Sequence, residues 1–186
     1  MSKAKTQVNS LKLLQDQSHI DIEESIELRK NRNLLIDRAY ELIHEENFDH
    51  AYRLLCMGLE DDDQDPDLLN GLGVVLCEMG RLNDSMLILH RAIRYNPDDA
   101  VTFANLAGVC WELEMFDRAI YYYTKSLETD PEIEDVYFNL INLYLEIDSI
   151  FMAFITCISY SENFPESLDA KELLEDIILN LGLMMF

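Results

Sequence analysis

The fold is decided by residues 100–131, which read AVTFANLAGVCWELEMFDRAIYYYTKSLETDP. Four positions in this stretch recur with similar side chains at one fixed interval, both earlier and later in the chain. The four columns are Leu72/Leu106/Leu140, Leu82/Phe116/Ile150, Ser85/Ala119/Ala153 and Pro97/Pro131/Pro165. Agreement of independent columns at one period indicates an internal repeat of about 34 residues.

Each copy of the repeat has the pattern of two amphipathic helices joined by a short turn. In residues 66–97 the first apolar face has the helical spacing i, i+3, i+4, i+7 and consists of Leu69, Leu72, Gly73 and Leu76. Gly80 is expected to end this helix, and a second apolar face follows at Leu82, Ser85, Leu89, Ala92 and Ile93. Small residues in both faces let the two backbones approach closely. Neither helix can bury its face alone, so the hairpins must stack.

These positions resemble the tetratricopeptide repeat, whose pattern is W-x₂-L-G-x₂-Y…A-x₃-F…P. The matching residues are Leu69, Leu72, Gly73, Leu76, Leu89 and Pro97 in one copy, Phe103, Leu106, Ala107, Phe116, Ala119, Tyr123, Leu127 and Pro131 in the next, and Tyr137, Leu140, Tyr144, Ala153 and Pro165 in the last. The last copy carries bulky Ile141 and Tyr160 where small residues belong, which predicts a wider or less regular hairpin. The resemblance implies an all-α fold of the α-α superhelix class, a solenoid of about four hairpins plus a C-terminal capping helix.

The predicted organisation has three parts. Residues 1–33 form a polar leader that is partly helical or disordered, residues 34–165 hold the repeats (about 34–65, 66–99, 100–133 and 134–165), and residues 166–186 form a capping helix with an apolar tail. The first copy is the least regular, with Arg38 in a leucine column and about three extra residues expected before Pro66. Ser167 is expected to begin the last helix with a capping box. The tail either packs on the fourth repeat or forms an interaction patch.

The charge of the chain narrows the class of partner. Its 186 residues include 14 Lys and Arg against 36 Asp and Glu, a formal net charge of −22. Residues 1–33 carry six basic and five acidic side chains, so the negative charge lies on the remainder. Such a field repels phosphate, which argues against nucleic acid and anionic membrane surfaces as partners.

No catalytic residue, cofactor or metal is predicted. The sequence contains no evident nucleophile–base pair, glycine-rich phosphate loop or zinc-ligand spacing of its His and Cys residues. Its four cysteines are far apart and are interpreted as buried small hydrophobic residues of a reducing cytosol. Since no signal peptide and no membrane-spanning apolar run are evident, a cytoplasmic location without membrane insertion is expected.

The resemblance implies that the first helix of each hairpin lines a concave groove. Asparagines on the groove stripe can clamp the backbone of an extended peptide, or they make only local bonds. Glutamates spaced by one repeat period form an acidic rail that attracts Lys and Arg, or a solvated edge. Trp111 is either an anchor for the partner or a packing residue between neighbouring first helices. The candidate binding residues are Asn70, Val74, Glu78, Asn105, Trp111, Glu112, Phe138, Asn139, Asn142 and Glu146.

Three functions follow as hypotheses. The first is a non-enzymatic adaptor or scaffold whose groove binds an extended or amphipathic, basic segment of a partner protein. The second rests on similarity to the type III secretion chaperones for translocators, which hold hydrophobic clients. The third is a self-associating assembly subunit, a homodimer through the leader or the tail. Because the first helices offer no cation near the groove positions, binding of a C-terminal carboxylate is disfavoured.

Overall fold

The computed structural model of the protein describes residues 28, 31–180 and 182. In this part the chain forms helices and no strands, which confirms the all-α prediction. The helices are α1 (Arg32–His44), α2 (Phe48–Leu59), α3 (Pro66–Glu78), α4 (Leu82–Tyr95), α5 (Ala100–Glu112), α6 (Phe116–Thr129), α7 (Glu134–Glu146), α8 (Ile150–Asn163) and α9 (Leu168–Asn180). The predictions for most of the leader and for the tail at residues 183–186 lie outside the described residues.

The period of the repeat holds from the first hairpin onward. The first helices begin at Arg32, Pro66, Ala100 and Glu134, and the second helices begin at Phe48, Leu82, Phe116 and Ile150. The expectation of about three extra residues before Pro66 is therefore wrong. The linker after α2 is longer because α2 ends early, at Leu59, and not because residues are inserted.

The turns inside the hairpins share one backbone conformation. Glu46, Gly80, Glu114 and Asp148 have φ values of 57°, 70°, 56° and 55°, and they occupy equivalent positions in successive hairpins. The turn at Gly80 is a Schellman motif. The N–H of Arg81 donates to the carbonyl of Leu76 and the N–H of Gly80 to that of Cys77, both at 2.8 Å. Glycine adopts this left-handed region without strain, whereas Glu does not and Asp adopts it only occasionally.

Exchanging residue types at these turns is expected to change stability in opposite directions. Glu114→Gly should raise the free energy of unfolding by up to about 1 kcal/mol, since it removes the strain of a left-handed glutamate. Gly80→Ala should lower it by about 1 kcal/mol, although a Cβ there meets no atom within 4 Å. Urea denaturation of both variants checks the pair, and a destabilised Glu114→Gly protein would contradict the strain argument.

The chain divides after Pro97 into two compact units. In the first unit, leucines of α1, α2 and α3 form the core, and α3 packs closely on α4. A Cβ placed on Gly73 would lie 2.5 Å from Cγ and Cδ2 of Leu89, and the Ser85 hydroxyl donates to the carbonyl of Gly73 at 2.6 Å. The small residues therefore allow the close approach that the sequence predicts.

An aspartate and an arginine join the starts of α1 and α3. Asp65 is the N-cap of α3, and its Oδ1 accepts from the N–H groups of Asp67 and Leu68 at 3.0 and 3.1 Å. Arg32 Nη2 donates to the same oxygen at 2.7 Å, and its Nε donates to Oδ2. Burial alone would raise the pKa of Asp65, but the hydrogen bonds from Arg32 and the backbone lower it below its usual value.

Removing this cap should be costly only when the carboxylate is charged. Asp65→Ala is expected to lower the free energy of unfolding by about 1–2 kcal/mol at neutral pH. Because the pKa of Asp65 is lower in the folded state, this contribution is complete above the unfolded value and is lost as the pH falls through the folded value. The control is Asp99→Ala, which removes the N-cap of α5. Urea denaturation at neutral and acidic pH should show that the loss of unfolding free energy caused by Asp65→Ala becomes smaller in acid. A loss of the same size at both pH values would contradict this prediction.

In the second unit, a tyrosine fills a position that is small in the other hairpins. Ser126 donates to the carbonyl of Ala100 at 2.8 Å, and the equivalent residue of the next hairpin is Tyr160. Its ring stacks on Tyr137 with a centroid distance of 5.5 Å and meets Phe164 edge-on. Its hydroxyl donates to Glu134 at 2.7 Å and lowers the pKa of that carboxyl. The bulky side chain is thus enclosed in an aromatic cluster.

Helix α9 packs on α8 and begins after Ser167. The N–H of Ala170 donates to the Ser167 hydroxyl at 3.3 Å. The predicted capping box is incomplete, because its reciprocal partner position is occupied by Ala170, which has no side-chain acceptor. Ala170 and Ile177 are buried, while Leu168 and Leu179 are exposed.

Candidate peptide-binding face

Two first helices of the second unit present neighbouring exposed faces. The indole N–H of Trp111 on α5 donates to Glu146 Oε2 on α7 at 2.7 Å, so the two helices are adjacent. Leu106 and Val109 of α5 point into the core, as do Leu140 and Leu143 of α7. The exposed or half-buried residues on the other side form what we call the α5–α7 face: Val101, Asn105, Trp111, Glu112, Phe138, Asn139, Asn142 and Glu146.

The α5–α7 face combines apolar, amide and acidic groups. Val101 and Phe138 are 49% and 46% exposed, which is high for apolar side chains of this size. The three asparagines are half-buried, and Glu112 and Glu146 are exposed. The face therefore offers apolar contacts, groups that both donate and accept hydrogen bonds, and negative charge.

Trp111 makes contacts with two neighbouring helices. Its ring meets Tyr123 of α6 edge-on, with a centroid distance of 6.4 Å and an interplanar angle of 85°, and its N–H bonds to Glu146. The ring is half-buried, so part of its surface also faces solvent. The ring thus packs on the second helix of its own hairpin and its N–H bonds to the next first helix, and both interpretations from sequence stay predictions. No pattern in the sequence indicates the bond to Glu146.

The candidate residues of the first unit have different surroundings. Asn70 is only 5% exposed, and its Nδ2 donates to the Tyr40 hydroxyl of α1 at 3.2 Å. Peptide binding by Asn70 stays a prediction, and it would require the amide to leave this buried contact. Val74 is half-buried and Glu78 is exposed at the end of α3.

In the last three hairpins the cations are absent from the first helices. Helices α3, α5 and α7 together contain six carboxylates and no Lys or Arg. The cations of the same hairpins lie on α4 or its N-cap and on α6: Arg81, Arg91, Arg94, Arg118 and Lys125. Sequence reasoning located the glutamates at the period of the repeat but missed this separation, which a count of charges in each predicted helix would have found.

Other site classes find no support in the described part of the chain. Residues 31–180 contain no cluster of three or more His, Cys, Asp or Glu side chains that could hold a metal ion. The four cysteines are free thiols, and burial raises the pKa of Cys157 to about 11. No helix among the described residues is long and apolar enough to cross a bilayer.

Comparisons with known proteins support the fold. No protein-family model matches the chain. The crystal structure of MamA is similar, with 18% identity and a TM-score of 0.67 over 81% of this chain and 82% of that one. So is YrrB, described as a tetratricopeptide repeat protein with an unusual peptide-binding site, with 17% identity and a TM-score of 0.62 over 84% of this chain and 82% of that one. The hairpins and these likenesses show that the fold is that of a tetratricopeptide repeat domain.

One curated relative is similar in sequence over part of the chain. It is the intraflagellar transport protein 56 homolog of Caenorhabditis elegans, 32% identical over 100 residues. The match covers 53% of this chain and 17% of that protein, so the chain corresponds to a small part of the relative.

Proposed function

We propose that the protein is a non-enzymatic adaptor or scaffold whose α5–α7 face binds an extended or amphipathic, basic segment of a partner protein. The observation that carries this proposal is the combination on one face of exposed Phe138 and Val101, half-buried asparagines and glutamates without a cation. The likeness to YrrB, whose description includes a peptide-binding site, supports the same class of function.

Each chemical group of the face has a distinct part in the proposed binding. The carboxylates attract Lys and Arg of the partner from a distance and favour the correct encounter. The asparagine amides donate to and accept from the backbone of an extended segment, which does not depend on its sequence. Phe138 and the exposed part of Trp111 provide apolar contacts, which contribute most of the affinity in such interfaces.

Selection of short random peptides on the protein tests the proposal. The bound peptides should carry more Lys and Arg than Asp and Glu. Glu112→Lys/Glu146→Lys should weaken their binding roughly tenfold to a hundredfold, since each exposed charge pair contributes up to about 1 kcal/mol and the substitution makes it repulsive. Emission from Trp111, the single tryptophan, reports binding at the face itself.

The matched control is Glu172→Lys/Glu175→Lys, which makes the same charge change on two exposed residues of α9. It should leave peptide affinity unchanged. The proposal that the glutamates attract basic partners would be contradicted by either of two results. One is equal affinity of the wild type and of Glu112→Lys/Glu146→Lys, and the other is an affinity that does not change with ionic strength.

A self-associating assembly subunit is the second candidate. In this hypothesis the contact between copies is made by the leader or by the apolar tail. Light scattering of the full chain and of a chain lacking residues 183–186 tests it, and a monomer in both cases removes it. Chaperone activity towards a hydrophobic client and a cytoplasmic location also remain proposals.

A further inference from the structure

Helix α8 has two apolar faces, and only one of them is covered. Ala153, Cys157 and Tyr160 are buried, and α8 packs on α7 and α9. The second face is a stripe with the helical spacing i, i+1, i+4, i+7. This α8 stripe consists of Phe151, Met152, Ile155 and Ile158, which are 68%, 39%, 44% and 37% exposed.

The other hairpins provide an internal control for the α8 stripe. At the two positions equivalent to Phe151 and Met152, each of the other hairpins has polar residues. These pairs are Asp49-His50, Asn83-Asp84 and Asp117-Arg118. These pairs occupy the same place in the same kind of hairpin, directly after the first residue of the second helix. The fold therefore does not require apolar side chains there, and the fourth hairpin differs for another reason.

The surroundings of the stripe are acidic. From Ser126 to Ala170 the chain contains ten Asp and Glu residues and no Lys or Arg. Two of them, Asp148 and Glu162, are exposed and stand three positions before Phe151 and four positions after Ile158. Glu162 thus stands one turn beyond the stripe on the same side of α8, and Asp148 lies in the turn that precedes the helix.

We propose that the α8 stripe is a docking surface for an amphipathic helix of another protein, with large apolar residues on one face and Lys or Arg beside them. An apolar groove or stripe receives such a helix by burying its apolar face. The carboxylates at both ends complement the flanking cations and discriminate against acidic partners. A second copy of the chain is a poorer occupant, since each copy carries a net charge of −22.

This inference goes beyond the proposed function because it uses α8, whereas that function uses α5 and α7. A protein with both surfaces can hold two partner segments at the same time. Such a molecule joins its partners and does not merely sequester one of them.

The probe is a fluorescein-labelled helix of leucine and lysine, about 18 residues or five turns long, with leucines on one face. Fluorescence anisotropy should show binding by the wild type and at least tenfold weaker binding by Phe151→Asp/Met152→Arg, which copies Asp117-Arg118. A scrambled peptide of the same composition should also bind at least tenfold less tightly. Leu87→Ser, which removes an exposed leucine of α4, is the matched control and should leave the affinity unchanged.

The proposed function and this inference fail separately. If Glu112→Lys/Glu146→Lys no longer binds the leucine–lysine peptide and Phe151→Asp/Met152→Arg still binds it, the α5–α7 face is the binding site and the α8 proposal is overturned.

Sedimentation velocity tests whether a second copy of the chain occupies the α8 stripe instead. A wild-type dimer that Phe151→Asp/Met152→Arg converts to a monomer would assign the stripe to a second copy, and would overturn the proposal as well. Unchanged circular dichroism of the variant shows that it is folded.

Discussion

Replacing Tyr160 by alanine should lower the free energy of unfolding by about 3–5 kcal/mol, the range found for large aromatic residues removed from a core. The side chain is 2% exposed and lies between Tyr137 and Phe164. Its removal leaves a cavity that two rigid rings cannot fill by rotating. Urea denaturation followed by circular dichroism measures the change, and a loss below about 1 kcal/mol would mean that the cluster collapses around the gap.

Two further variants separate the ring of Tyr160 from its hydroxyl. Tyr160→Phe keeps the stacking and loses only the hydrogen bonds to Glu134 and Ser167. We therefore expect it to lower the free energy of unfolding by about 1 kcal/mol. Ser126→Ala, at the equivalent position of the preceding hairpin, loses one bond to the carbonyl of Ala100 and should cost a similar amount. If Tyr160→Phe proves as damaging as Tyr160→Ala, the hydroxyl and not the packing is decisive.

Adding one methyl group at Gly73 should destabilise the protein by about 1–3 kcal/mol. The new Cβ would lie 2.5 Å from two carbons of Leu89, which is itself fully buried and cannot turn away freely. The matched control is Gly108→Ala, where the Cβ would lie 3.7 Å from the Tyr123 hydroxyl, an ordinary contact. This substitution should be stabilising by about 0.5–1 kcal/mol, because alanine favours a helix interior.

A double-mutant cycle identifies the cause of the Gly73 effect. Leu89→Ala alone should cost about 2–5 kcal/mol, since it leaves a cavity. In Gly73→Ala/Leu89→Ala the added methyl group has room. The loss of unfolding free energy in this double variant should therefore be smaller than the sum of the losses in the two single variants. Additive losses would show that the clash is not between these two residues.

The regular features of the fold were accessible from the sequence because they repeat. The period places Glu114 and Asp148 in the column of Gly80, and all three adopt the same left-handed turn despite their different chemistry. The contact between Arg32 and Asp65 was not accessible, because it depends on the distance between two helix starts and not on any residue pattern. The same is true of the Tyr160 ring, whose partners belong to two different segments.

The candidate site was accessible only in outline. Helical spacing identified which residues of α5 and α7 remain on the surface, and Phe138 is indeed exposed. Spacing does not show what a side chain contacts, so the bond of Asn70 to Tyr40 and that of Trp111 to Glu146 were missed. The α8 stripe was missed for another reason: its apolar residues also fit the pattern of a core helix, and only exposure distinguishes the two.

The strict register of the four turns has a consequence for how such a chain can change in length. A recombination event between the codons for the turn residues of two successive hairpins, for example Gly80 and Glu114, removes or duplicates one structural period. The new junction joins a left-handed turn to the start of a second helix, as every existing junction does. Hairpins with different surfaces can therefore be gained, lost or exchanged while the backbone geometry of the remaining ones stays the same.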